Sequence, residues 1–247
     1  MRSFGGDCKW TSGPWLSPQQ PILNMIPDSW PQNYQEAVAW QEVLRRQVEL
    51  VPLCRPPRLV AGADAICDRE DRRIFGAMVV YSFPELELME EVGVAGVCPF
   101  PYRTGLLSFR EVPILEAAFK QLKRRPEVIL VDGQGIAHPR GLGLASHLGL
   151  VLQVPTIGVA KSRLVGTGAE PDWEAGAASP LIWQGRVVGL ILRTQSGKKP
   201  LYLSCGHRIT LAECRQITLD CVRRYRLPVP LRQADIVSRR LRAATSG

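Results

Sequence analysis

An unbroken apolar run, Val128-Ile129-Leu130-Val131, stops abruptly at Asp132-Gly133. Aliphatic, largely β-branched residues in such a run predict a strand covered on both faces, which places it inside a layered α/β sheet. The carboxylate that closes the run leaves water at a cost of several kcal/mol, roughly, unless a cation or hydrogen bonds compensate it. Two explanations stand: a metal ion at the strand end, or a turn whose backbone Asp132 caps. Gly133 and Gly135 let the chain bend there and approach a neighbour closely.

Elements predicted around this strand set its context. Residues 1–32 hold Pro14, Pro18, Pro21, Pro27 and Pro31 among Gly, Ser and Gln, and are expected to be a poorly ordered extension. Residues 33–247 read as a single domain. A helix is expected from Tyr34 to about Leu50, ended by Pro52. Strands follow at 58–66, 74–81 and 86–94, the last two joined as a hairpin at Phe83-Pro84-Glu85. Ser108 and Glu111 fit a capping box opening the next helix. Beyond the central strand come a helix at 141–152, a strand at 156–160 ending at Lys161, and a hairpin about Gln184-Gly185. A further strand at 201–204 and a helix from a second capping box, Thr210 and Glu213, to about Arg224 complete the list, with Pro228 and Pro230 stopping that helix. The order strand, strand, strand, helix, strand, helix, strand predicts a mixed α/β sheet flanked by helices, antiparallel at first and then parallel. In such sheets ligands collect beyond the carboxyl ends of the strands, where Asp132 lies.

Composition narrows the partner. A formal charge of +8 over 247 residues favours a polyanion such as nucleic acid. The 7 cysteines show no CxxC spacing and the 3 histidines pair with none of them, so zinc is disfavoured and the thiols read as reduced, in a cytoplasmic protein. No apolar stretch has signal-peptide or membrane-span length, so no membrane partner is expected.

The ordering brings three carboxylates together: Asp64 on the first strand, Glu111 in the first turn of the helix after the hairpin, and Asp132. Such a group cannot stay fully ionised without a cation, and hard oxygen donors select Mg²⁺, with Mn²⁺ as substitute. A divalent ion beside a phosphate makes phosphodiester hydrolysis the natural reaction. For Glu111 the capping box is a competing role. Pro101-Tyr102, in a loop stiffened by prolines from Pro99 to Gly105, can push an aromatic ring into a base stack. Lys161 ends a strand on the same edge as Asp132 and is the leading phosphate contact. His138 suits phosphate contact or proton transfer, with a structural hydrogen-bonded role as the alternative. Arg103, Arg110, Arg140, Arg163, Lys198, Lys199 and Arg208 are the other nearby cations.

Five segments then resemble the motifs of the endonuclease V family: PYRTGLLSFRE (101–111), VDGQGIAHPRGLGLASHLGL (131–150), PTIGVAKSRL (155–164), CGHRITL (205–211) and RLPVPLRQAD (226–235). The resemblance runs in order from about Tyr34 to Arg240. It implies a ribonuclease-H-like fold and Mg²⁺-dependent cleavage of the second phosphodiester bond 3′ to a hypoxanthine base, leaving 3′-hydroxyl and 5′-phosphate ends in inosine-containing DNA. The family's metal-binding positions fall on Asp64, Glu111, Asp132 and Asp235, and its catalytic set adds His138 and Lys161. Its wedge falls on Pro101 and Tyr102, followed here by Arg103-Thr104. Its base pocket falls on Gly105, Leu107, Gly133 and Gly135, with Arg140 and His207 as further substrate contacts. A monomer is expected. Two alternatives are a ribonuclease-H-like nuclease with another target, such as inosine-containing RNA, junctions or hybrids, and a non-catalytic inosine-binding module.

Overall fold

The computed structural model describes residues 30–68, 73–98 and 100–245. Of the extension expected over 1–32, only 30–32 fall within that range, and Pro99 lies outside it. Among the described residues eight strands, β1 (Leu59–Cys67), β2 (Arg73–Ser82), β3 (Leu88–Val97), β4 (Val128–Val131), β5 (Thr156–Ala160), β6 (Ala178–Trp183), β7 (Arg186–Leu192) and β8 (Leu201–His207), form one sheet in the order β3-β2-β1-β4-β5-β8-β7-β6. β3, β2 and β1 are mutually antiparallel, whereas β4 and β5 continue parallel to β1. This is the expected mixed sheet. β8, β7 and β6 extend it antiparallel beyond β5, an arrangement the order of elements alone does not specify.

Helices cover both faces, which is why the central strands are apolar throughout. α2 (Ser108–Gln121) and α3 (Leu144–Leu152) carry the chain from β3 to β4 and from β4 to β5, and pack Val112, Leu115, Ala145 and Leu148 against Ala61, Ala63, Ile129 and Val131. On the other face α4 (Leu211–Asp220) and α5 (Val229–Thr245) bring Ile217, Leu231, Ala234 and Val237 against Val60, Val79, Val128 and Leu130. Side chains alternate across a strand, so Asp64 shares the face of Val60 and looks towards α5. Each fully buried Val or Leu in these layers contributes about 1.5–3 kcal/mol by leaving water.

Several expectations are corrected. α1 (Tyr34–Leu44) gives way to a 3₁₀ turn at Arg45–Gln47 instead of running to Leu50. The Ser108–Glu111 capping box does not form: Leu107 is the N-cap with no side-chain cap, and Ser108 Oγ pairs with His147 Nδ1 (3.0 Å) in the buried layer between α2 and α3. The Thr210–Glu213 box does form. α4 stops at Asp220, and α5 was not anticipated. Pro228 and Pro230 open it, because a helix start has no use for the amide hydrogens that proline lacks.

Candidate active site

Register decides the acidic site. β1 and β4 pair with Ala63 opposite Val131, and the Asp132 amide donates to the Ala63 carbonyl (3.1 Å), so Asp64 and Asp132 lie side by side at one edge. The first turn of α2 brings in Glu111, 7% exposed, beside Asp64 at 8%. Burial, then the charge of Asp132, pushes the Asp64 carboxyl up to about 7, against the hydrogen bond it accepts from Ser238 Oγ (2.7 Å) on α5. Burial and then the charges of Asp64 and Asp132 push Glu111 well above the usual carboxylate range. α5 also supplies Asp235, whose charge reaches Asp64 and whose Oδ2 accepts from Arg239 Nε (2.9 Å).

The cation already present belongs to the protein. Lys161, immediately after β5, places Nζ 2.5 Å from Asp132 Oδ2. Burial opposes the charge of Lys161, but the charge and hydrogen bond of Asp132 outweigh it and raise its pKa. Among the described residues no three His, Cys, Asp or Glu side chains stand at metal-ligand spacing. The donor chemistry nevertheless fits a hard divalent ion: crowded carboxyl groups, two of them with pKa values raised by burial and by their neighbours' negative charge, with an ammonium as stand-in for the positive charge.

The turn after β4 folds back over the sheet. A Cβ on Gly135 would lie 1.9 Å from the Cys205 carbonyl oxygen, so only glycine allows that approach, and the Gly135 amide donates to Ser204 Oγ (2.8 Å). Gly133 faces Leu144, and Gln134 Nε2 donates to the Ser162 carbonyl (3.0 Å). Beyond it, the loop carrying Pro101 and Tyr102 is exposed, with Tyr102 at 51% and the Arg110 guanidinium 5.7 Å from its ring centroid. Between loop and turn lies a cavity of about 130 Å³ lined by Tyr102, Gly105, Leu107, Gln134, His138 and Leu144, among others.

Three donors lock this loop through a single carbonyl. Gly105, at φ +77°, accepts from Gln41 Nε2 (2.9 Å), Arg140 Nη2 (2.9 Å) and His138 Nε2 (3.0 Å), and Gln41 Oε1 accepts in turn from Arg140 Nε (2.5 Å). The Arg140 amide donates to His138 Nδ1 (3.2 Å), so Nε2 carries the ring proton. Burial, then the neighbouring Arg140, lowers the His138 pKa to about 4. In this conformation His138 is thus a neutral donor to the loop, and Arg140 donates to the same carbonyl.

His207 does not join the site. It pairs with Thr156, the first residue of β5, at the edge opposite Lys161, is 1% exposed, and accepts from the Glu49 amide through Nδ1 (3.3 Å). Gln41 and Ser238 were missed. Each is a polar residue on an otherwise apolar helix stripe, Ala37-Gln41-Leu44 and Ala234-Val237-Ser238, and that anomaly is the signal that marks them.

The chain is similar to known proteins over most of its length. A family model described as Endonuclease V matches residues 42–236. A curated relative named Endonuclease V from Nostoc punctiforme is 46% identical over 208 residues, covering 84% of this chain and 94% of the relative. The crystal structure of the endonuclease V from Streptomyces avermitilis superimposes with a TM-score of 0.85 at 41% identity, covering 90% of this chain and 98% of that one. A Ciona intestinalis endonuclease V in complex with a 23mer DNA containing an inosine followed by a ribo-adenosine gives 0.77 at 26% identity, covering 85% and 97%.

Proposed function

The chain belongs to the endonuclease V family and is an endonuclease, and on that premise we propose that it hydrolyses nucleic acid next to a deaminated purine in a divalent-metal-dependent reaction. The single domain at 33–247 admits hypoxanthine to the cavity beneath Tyr102 and cuts the second phosphodiester bond 3′ to it, leaving 3′-hydroxyl and 5′-phosphate ends. The observation that carries this reading is the convergence of Asp64, Glu111 and Asp132 beside a locked loop and a cavity. The inosine-containing DNA in the Ciona complex supports the substrate class.

Each residue has a task. Asp64, Glu111, Asp132 and Asp235 would hold Mg²⁺ or Mn²⁺. When bound, such an ion stabilises the leaving oxygen and makes a water more acidic. Lys161 then exchanges its carboxylate partner for the scissile phosphate. Tyr102 and Pro101 fill the gap left in the base stack, meeting an unstacking cost of a few kcal/mol, roughly. Gln41, His138 and Arg140 hold the Gly105 backbone against the cavity of about 130 Å³.

End-labelled DNA and RNA oligonucleotides, each with one inosine, provide the test. Incubated with Mg²⁺, the DNA should break at the second bond 3′ to the inosine, and EDTA should abolish the break. Cleavage at random positions, or cleavage that survives EDTA, contradicts the proposal, and a break confined to RNA reassigns the substrate.

A further inference from the structure

The acidic edge continues into a basic surface that the reaction just described does not use. The end of β5, the start of β8 and the end of β7 lie at the same edge of the sheet, since Ala160 pairs with Tyr202 and Tyr202 with Ile191. The loop between β7 and β8 therefore projects Lys198 and Lys199 from the rim that carries Lys161 and Asp132. The segment between α4 and α5 is laced to that loop. Thr194 Oγ1 donates to the Arg226 carbonyl (2.6 Å), Gln195 Nε2 to the Arg223 carbonyl (3.0 Å), and Arg226 Nη1 to the Pro200 carbonyl (3.3 Å).

Five cations gather there, Lys198, Lys199, Arg224, Arg226 and Arg232, while the Arg223 guanidinium donates to the Asp220, Val222 and Pro84 carbonyls. Among the described residues none of the five is ion-paired with a carboxylate. At their centre Tyr225, 45% exposed, lies under Arg232, whose guanidinium carbon is 4.0 Å from the ring centroid, with that of Arg224 at 5.7 Å. A ring stacked on a guanidinium holds that side chain in place while leaving its donors outward, an arrangement suited to phosphate. Arg232 is also three residues before Asp235 on α5, so the two share a helix face and the cluster adjoins the acidic site.

We propose that Lys198, Lys199, Arg224, Arg232 and Tyr225 form a second nucleic-acid contact, which grips the backbone of the substrate strand on one side of the cleavage point. This inference rests on the nuclease reading and deepens it by assigning a path to the flanking strand. From β4 to β8 are two strand spacings, about 10 Å, so the contact begins about three nucleotides from the bond cut, at 3.4 Å each. Unpaired like charges held close together cost stability when nothing anionic is bound, so a built cluster of this kind implies an anionic partner. A flexible, solvated fringe of lysines would lack both the lacing and the stacked ring.

The test uses the full chain and two triple variants of equal charge. Lys198→Ala/Lys199→Ala/Arg224→Ala removes cluster residues whose side chains hold no loop in place. Lys123→Ala/Arg124→Ala/Arg186→Ala removes exposed cations that precede β4 or begin β7, at the opposite edge. Binding is measured on inosine-containing strands whose flank extends 2 or 12 nucleotides beyond the cleaved bond, on either side in turn, across a salt series. The wild type should bind more tightly when the flank on one side is lengthened. The cluster variant should lose most of that gain, about tenfold or more, and the slope of log affinity against log salt should shrink by about 2, three contacts at roughly 0.7 each on a single strand. The control variant should keep the gain. Equal losses in both variants, or no loss in the cluster variant, overturn the proposal. So does a cluster variant that binds strands normally but no longer binds phosphatidylserine vesicles, which would make the surface a membrane contact. Failure of the wild type to nick any inosine substrate would instead strike the nuclease reading, a result independent of flank length.

Discussion

Gln41 shows how one buried polar side chain governs an exposed loop. Its amide bonds both the Gly105 carbonyl and Arg140, and with no exposure it has no water to fall back on. Replacing it with leucine leaves Arg140 Nε without this partner and removes one of three donors to Gly105, a loss of about 1–3 kcal/mol. Gln41→Leu should therefore reduce nicking of inosine in duplex more than in single strands, where no stack has to be held open; equal loss on both substrates would remove Gln41 from loop positioning. His147 makes a prediction about pH. Burial lowers its pKa to about 3, so the fold holds it neutral. A depressed histidine contributes stability that is present above its unfolded pKa near 6.5 and is lost as pH falls towards the folded value. Between pH 6.5 and 5 that loss is about 2 kcal/mol at 1.4 kcal/mol per unit. Buried Asp64 and Glu111 work in the opposite sense over part of this range, so the comparison has to be with His147→Gln. Urea midpoints should fall with acidification by a larger margin in the wild type than in the variant, and parallel curves would refute the assignment.

Among the elements, the loop at Pro101-Tyr102 and α5 are the ones on which the proposed reaction makes the most demands. Tyr102→Ala should weaken binding to inosine-containing duplex more than to a single strand, as gel-shift titrations of the two would show; equal losses would argue against a wedge. α5 explains where the sequence was hard to read. The apolar run 128–131 is unambiguous because a strand buried on both faces has no polar alternation to confuse it, and the carboxylate after it stands out. The stripe Leu231-Ala234-Val237-Leu241 is just as regular, but Pro228 and Pro230 look like breakers until their place in the first turn is known. Asp235 could thus be found only through family motifs, although α5 is what lays it beside Asp64. The Ser108–Glu111 signature failed for the opposite reason. Its local pattern was correct, but tertiary packing gave Ser108 a partner in His147 and turned Glu111 towards the other carboxylates.

At the scale of the molecule, the sheet sets out chemistry along one edge. β1 and β4 present the carboxylates, β5 the lysine, and the β7–β8 loop the basic surface, while the opposite edge keeps His207 buried away from the site. No helix among the described residues is long and apolar enough to cross a membrane. If the carboxylates at this edge make the chemistry, Asp132 is where that shows most directly, because the residue follows the end of β4 and contacts Lys161. The measurement is a single-turnover nicking rate for Asp132→Asn on an inosine-containing duplex at saturating Mg²⁺, alongside its dissociation constant for the same duplex. The rate should fall by orders of magnitude with affinity within a few-fold of wild type, whereas a variant that nicks at the wild-type rate would remove Asp132 from the chemistry.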